Sequence, residues 1–210
     1  MDAAYYKVNA VIIGINHNSE HEGDNRIHFQ IGKIADGKSI SLVDSSYDSS
    51  VSAQNFFSMN ASNTNSGGWE SSQMRTNICN AMQGVVDSEL QAVIKGCPKY
   101  TDNVAGGSGS AAGNVTGTFD SFFLLSEYEV FGTTSYSNTN EANYQKQYEY
   151  YAAGNARVRY KHNSTTTASA WWLRSAIKSS SGQFAFVVGN GTVNQNVASL
   201  SLGFSPGFCV

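Results

Sequence analysis

The sequence predicts an α+β fold: a small antiparallel sheet, two or three helices and long loops on one side. Three observations carry this reading. The first fifth of the chain alternates apolar and polar residues, the centre recurs at helical spacing, and the C-terminal region breaks into short aromatic strands separated by turns. With 210 residues, 40% of them hydrophobic, the chain lies in the single-domain range and can bury a core, so residues 1–210 are read as one domain.

The elements follow in order. From Tyr5 to Ile15 the run YYKVNAVIIGI is β-branched and apolar and enters a polar stretch at Asn16, which predicts a buried strand ending at a surface. Arg26 to Ile31 alternates, placing Ile27, Phe29 and Ile31 on one face, and Asp36-Gly37 signals a hairpin into Ser39 to Val43. Beyond the Ser/Asn/Gly-rich stretch 58–68, Met74, Ile78 and Met82 recur at helical spacing behind the candidate cap Ser71. A second helix has the capping-box form Ser88-x-x-Gln91, an apolar face of Leu90, Val93 and Ile94, and a stop at Gly96 and Pro98. Residues 102–118 have no apolar period and read as a long surface loop or a mobile one.

Phe122 to Leu125 returns to strand character. Tyr144, Tyr148 and Tyr151 stand at i, i+4 and i+7, three rings on one helical face, read first as packing and alternatively as ligand contacts. Short strands are predicted at Arg157 to Tyr160, Trp171 to Arg174, Phe184 to Val188 and Gly203 to Val210, with Asn190-Gly191 the strongest hairpin signal. Adjacent strand residues face opposite ways, so at least one of Trp171 and Trp172 is expected in the core. Asn194 to Leu202 has small or amide side chains and no period, and reads as a loop.

Composition narrows the function. Charged residues make up 14% of the chain and the net charge is −3, so no basic field gathers phosphates and nucleic acid is not an expected partner. Polarity comes instead from Asn, Ser, Thr and Gly beside 11 Tyr, 11 Phe and 3 Trp, a mixture suited to protein or glycan surfaces. Cys79, Cys97 and Cys209 have neither an even count nor a CxxC spacing; one bridge at most can form, and neither a metal nor another cofactor is expected. The start lacks a positive region followed by an apolar run, and no stretch approaches the ~18 apolar residues of a span. Direct membrane insertion is therefore not expected, and export would depend on an upstream region or on carriage by a particle.

The chemical motifs are weak. His17-Asn18-Ser19-Glu20-His21 matches H-x-x-E-H, but it leaves a strand, offers no apolar helical face and meets Gly23 at once, so a solvated loop is expected instead of a zinc site. Glu127 and Glu129 would share a face only on a strand, with no partner or cleft in view for glycoside chemistry. No Ser/His/Asp arrangement stands out, and Gly106-Gly107-Ser108-Gly109 lacks the Lys of a phosphate loop. No catalytic residue is assigned.

The closing region is more specific. Trp171-Trp172-Leu173-Arg174-Ser175, then Phe184 to Val188, Asn190 to Val193 and Gly203-Phe204-Ser205-Pro206-Gly207-Phe208, resembles an uncharacterised domain family abundant in gut Firmicutes and their prophages. Gly67-Gly68-Trp69, Phe123 to Glu127 and Glu129 to Gly132 look like its other recurrent blocks, so the resemblance covers nearly the whole chain. It implies a C-type-lectin-like fold and similarity to variable proteins of diversity-generating retroelements, in which adenine-directed mutagenesis varies surface residues near the C-terminus. Asn194 to Leu202 fits the reachable set except at Gln195, and Lys178 is likewise unreachable. The related formylglycine-generating oxidases resemble a paired-cysteine redox site; with only Cys209 near the C-terminus, that activity is not carried over.

The expected function is binding of a protein or glycan receptor on a cell surface, in a bacterial surface adhesin or a phage tail protein, with homo-oligomerisation compatible with it. The alternatives are a carbohydrate-active enzyme and a structural virion component. The binding surface is expected within 157–210, at Ala176, Ile177, Asn194, Asn196, Val197, Ser199, Leu200 and Leu202. These positions lie between the rigid blocks 171–175, 184–188 and 203–208. Leu200 and Leu202 are either a contact patch or a fold-back onto the core.

Overall fold

The computed structural model describes residues 9–33, 37–43 and 57–210. It is an α+β structure of small sheets, antiparallel but for one pairing, with short helices. Strand β1 (Asn9–Ile15) pairs with β2 (Ile27–Lys33), the helical turn α1 (Ser19–Glu22) lies between them, and β3 (Ile40–Ser41) follows. A π-helical turn (Met74–Cys79) runs into α2 (Asn80–Met82), followed by α3 (Ser88–Val93) and β4 (Cys97–Asp102). Next come β5 (Val115–Asp120), β6 (Phe122–Phe123), α4 (Glu127–Phe131), a 3₁₀ turn (Thr139–Asn143) and α5 (Glu149–Ala152). The C-terminal third supplies β7 (Arg159–Lys161), β8 (Ser164–Ser169), β9 (Trp171–Ala176), β10 (Gln183–Val187), β11 (Val193–Val197) and β12 (Gly207–Cys209).

The strands order as β1-β2-β12-β6, β11-β10-β9, β3-β7-β8 and β4-β5, with β3-β7 the parallel pair. In the first sheet Phe208 sits opposite Phe29 on one side and Phe122 on the other, giving an aromatic ladder with ring centroids 5.2 and 5.7 Å apart. Gly207 beside it is required by space, because a Cβ there would lie 2.7 Å from the Phe123 ring.

Several expectations change. The apolar run before Asn16 is not a buried strand: within β1 only Ile13 and Gly14 are buried, while Ile12 and Ile15 are exposed, and residues 5–8 lie outside the described residues. On β2 both faces are covered: His28 and Gln30 are fully buried, Ile31 is a core residue, and Ile27 and Phe29 are half-buried. Period two announces alternation, but the polar face is buried by the partners that His28 and Gln30 find there. Asp36 is not described, although Lys33 bridges Ser39 as a hairpin requires.

Helix boundaries move by one residue: Ser72 Oγ, not Ser71, accepts from the Arg75 N–H, and Asp87, not Ser88, caps α3 by accepting from Leu90. Val93 is 52% exposed, so it does not belong to the apolar face of α3. The tyrosine stripe is not one helix but a 3₁₀ turn followed by α5; Tyr148 and Tyr151 are nonetheless buried, which fits packing. Val115 to Thr118 lies in β5, and the preceding loop is tethered: Asn65 Nδ2 donates to Ile177 O, Ser180 O and Gln183 O while its Oδ1 accepts from Gly106.

The C-terminal frame matches expectation. Every residue of β9 is buried, Trp171 and Trp172 both at 0% exposure. The β10-β11 hairpin closes with Gly191 at φ 87°, a left-handed conformation that favours glycine, and Asn190 Oδ1 accepts from the Thr192 N–H and hydroxyl.

Candidate functional site

Asn194 to Val197 is not a loop but most of β11, at the edge of the β11-β10-β9 sheet. Period-two burial is absent because this strand is half-exposed on both faces. Ala198 N–H donates to Gly182 O and Val188 N–H to Thr192 O, so even-numbered residues of β11 bond inward and residues 193, 195 and 197 turn their N–H groups outward. Two of those donors are already covered: Asn194 Oδ1 accepts from Gln195 N–H at 2.8 Å, and Asn196 Oδ1 from Val197 N–H at 2.8 Å. The asparagines thus blunt the edge against strand addition and leave a strip of amide and small side chains. Ser199 continues it, its hydroxyl donating to Asn63 Oδ1.

The expected residues divide. Asn194, Asn196, Val197, Ser199 and Leu200 reach the surface wholly or in part. Ala176 and Ile177, at 1% and 0% exposure, and Leu202 at 4%, are core residues and present no surface to a ligand. Ala176 closes β9, Ile177 follows it into the core, and Leu202 folds back to donate its N–H toward Phe57 O. Leu200 is half-buried and packs against the same core.

Beneath this frame lies an ionic network that no sequence expectation named. Glu129 Oε1 accepts from Lys99 Nζ (3.2 Å) and Arg174 Nη2 (3.0 Å), and its Oε2 accepts from Arg174 Nη1 (2.5 Å) and the Ser126 N–H (2.9 Å). Arg174 also donates to Thr101 Oγ1 and Leu124 O, and Lys99 to Glu22 Oε2 (2.7 Å) and the Tyr148 hydroxyl (2.8 Å). All of these side chains are essentially unexposed. Burial alone would raise the Glu129 carboxyl, but Arg174 and Lys99 more than offset it and hold it below the usual carboxylate range. Burial would likewise lower Lys99, yet Glu129 and Glu22 keep it above its ordinary value.

Glu127 and Glu129 sit on a helical turn, where Ser126 and Glu129 form a capping box, and Glu127 accepts from the Tyr136 and Ser137 N–H groups. Both carboxylates are thus committed to internal partners. A shallow open depression of about 300 Å³ at Ile12 to Ile15, Glu149 and Tyr150 has Glu149 as the single carboxylate in its lining.

Sequence-distant thiols meet beside this network. His28 on β2 and Cys209 on β12 are cross-strand partners, with His28 Nδ1 3.3 Å from Cys209 Sγ. Cys97, at the start of β4, donates to Glu22 Oε2 at 3.3 Å. The donor atoms of His28, Cys97 and Cys209 all lie within 4.8 Å of one another. The three cysteines are free and buried. Burial, with Lys99 nearby, drives the His28 imidazole down to about 2, and the Cys209 hydrogen bond together with burial pushes the Cys97 thiol up. The H-x-x-E-H segment is no solvated loop: His17 is buried and stacks on Tyr148 with ring centroids 3.9 Å apart, while His21 packs against the stacked pair Tyr100 and Tyr144.

Glu141 supplies a pH-dependent cost. Its oxygens accept from the Asp102 N–H (3.1 Å) and the Ser175 hydroxyl (3.2 Å), but burial dominates and raises it to about 7. Between the ordinary carboxyl value and pH 7 the folded protein holds a proton that the unfolded chain has released, so stability falls as pH rises through that window. The loss is expected to reach ~3 kcal/mol by pH 8, and Glu141→Gln should remove that component. Urea unfolding at pH 5 and pH 8 tests this; an identical pH difference in wild type and variant would assign the effect elsewhere.

Fold and site together define an α+β structure with an amide-lined edge strand and a buried ionic network. Residues 47–210 match a domain of unknown function, DUF6273, and the chain belongs to that family. No curated protein and no solved structure matches the chain.

Proposed function

We propose that this chain is a binding domain of C-type-lectin-like type that recognises a protein or glycan receptor from a bacterial surface or a phage tail. The observation that supports it is the strip Asn194, Asn196, Val197, Ser199 and Leu200, laid along an edge strand above the wholly buried β9 and a β10 whose Phe184 to Val187 are buried. Most of the stability resides in the frame; within the strip Leu200 packs against the core, and Asn194, Asn196, Val197 and Ser199 are free to vary with the ligand. The small sheets, short helices and long connections suit the lectin-like reading, and among the described residues no helix is long and apolar enough to cross a membrane. Diversification across the whole of 194–202 is less well accommodated, because Ala198 and Leu202 are buried and random replacement there would damage the core.

The test combines Asn194→Ser, Asn196→Ser, Val197→Ser, Ser199→Tyr and Leu200→Tyr. Stability should change by less than ~1 kcal/mol in urea unfolding, while the binding profile on a glycan array and on a panel of bacterial cells shifts. A folded variant with the wild-type profile, or a variant that no longer folds, ends the display-strip reading. Release of reducing sugar by the wild type would favour the enzyme alternative instead.

A further inference from the structure

We infer that His28, Cys97 and Cys209 form a zinc site in the core, tying the C-terminal strand β12 to β2 and β4. The three residues come from β2, β4 and β12, each is essentially unexposed, and their donor atoms fall within 4.8 Å of one another. Ligands sharing a tetrahedral zinc ion stand about 3.6 Å apart, from Zn–S near 2.3 Å and Zn–N near 2.0–2.1 Å. The 3.3 Å between His28 Nδ1 and Cys209 Sγ is already close to that edge. Three of the four ligands of a tetrahedral site are thus close to their places, and Glu22 Oε2, 3.3 Å from Cys97 Sγ and 3.7 Å from His28 Nδ1, stands where the fourth would bind.

Two further features bear on the site. His28 Nδ1, the nitrogen that faces Cys209, also lies 3.1 Å from the Tyr148 hydroxyl, which would give up that contact to the metal and keep Lys99 Nζ as its partner. Lys95 N–H donates to Cys209 O at 2.9 Å two residues before Cys97, which pins β12 against the start of β4 and holds the two thiols on neighbouring backbone.

Charge selects the metal. The adjoining network of Glu22, Glu129, Lys99 and Arg174 contains two carboxylates and two cations and is neutral by itself. Zinc(II) bound by two thiolates and a neutral imidazole adds no net charge, whereas copper(I) would leave one buried negative charge. Binding is written as Zn²⁺ plus two thiols giving the dithiolate complex and two protons. The Cys97 proton now offered to Glu22 leaves, and Glu22 keeps Lys99 Nζ and Asn18 Nδ2 as partners. A site this enclosed fills as the chain folds, so the metal acts as a structural clip.

The experiment produces the full chain under reducing conditions in zinc-supplemented medium, purifies it without chelator and measures metal by mass spectrometry. About one zinc per chain is expected, retained in Cys79→Ser, whose thiol lies outside the cluster, and reduced at least ~10-fold in Cys97→Ser and Cys209→Ser. Cobalt(II) in place of zinc should give a thiolate-to-metal charge-transfer band in wild type. Wild-type protein with less than ~0.1 zinc per chain overturns the inference whether or not the variants fold. So does copper in place of zinc, or an intact mass lowered by two hydrogens, which would show a disulfide.

Discussion

Replacing Arg174 with methionine is expected to destabilise the protein by about 3–5 kcal/mol, among the largest single-residue effects in the molecule. Methionine keeps an apolar stem but removes every donor. Glu129 would lose both Arg174 hydrogen bonds, at 2.5 and 3.0 Å, and keep only Lys99 and the Ser126 N–H, while Thr101 Oγ1 and Leu124 O would lose the donors that now reach them. A buried charge with half its partners gone costs more than the intact pair contributes, because its desolvation is no longer offset. The double variant Arg174→Met with Glu129→Leu should therefore lose less than the sum of the single losses. Urea unfolding followed by circular dichroism measures all three. A single-variant loss below ~1 kcal/mol would mean that water reaches the pair, and the enclosed network described above would be wrong.

That network was the least legible part of the molecule, for a physical reason. Its bonds join Glu22, Lys99, Glu129 and Arg174 across separations of 77, 30 and 45 residues, and no local period registers such partners. One signal was present: in a chain with 14% charged residues, Lys99, Glu129 and Arg174 stand inside apolar or aromatic blocks. A charge placed there must be paired or the block would not be buried. The same blindness hid the polar face of β2, where His28 and Gln30 turn inward because Tyr148 and Ser205 meet them. The thiol cluster was hidden likewise, since residues 28, 97 and 209 share no spacing motif and the structure brings Cys97 beside Cys209.

Elements governed by local rules are legible in the sequence. The β10-β11 hairpin follows from Asn190-Gly191 between β-rich runs, and the buried β9 from its adjacent tryptophans. Apart from the continuous helical segment 73–82, whose period Met74, Ile78 and Met82 announce, the described helices span three to six residues, too short for periodicity to define, and the helix starts move by a residue to Ser72 and Asp87. Strand β11 carries no alternating signal because its asparagines bond to their own backbone edge and bury little. The feature that concealed it from a search for alternation is also what makes it a candidate contact strip.

The two tryptophans of β9 allow a sharper test of the core. Both are 0% exposed, although neighbouring strand residues point to opposite faces, so the strand is covered on both sides. Replacing either with alanine should cost on the order of 3–5 kcal/mol. The phenylalanine variants should separate them. Trp171 Nε1 donates to Arg157 O at 3.0 Å, and the Arg159 guanidinium lies 5.0 Å from its ring centroid. Phenylalanine there removes a hydrogen bond, strands a carbonyl and weakens a cation–π contact. Trp172 Nε1 is buried without a partner, and its ring meets Phe186 edge to face at 6.0 Å. Phenylalanine at that position deletes an unsatisfied donor, which offsets part of the lost volume. Trp171→Phe should therefore be less stable than Trp172→Phe by about 1–2 kcal/mol in urea unfolding. Equal losses would place a hidden acceptor near Trp172, and the reverse order would contradict the partner assignment of both rings. If both alanine variants instead kept the wild-type melting temperature while receptor binding vanished, the tryptophans would be contact residues and the frame beneath the strip would have to be redrawn.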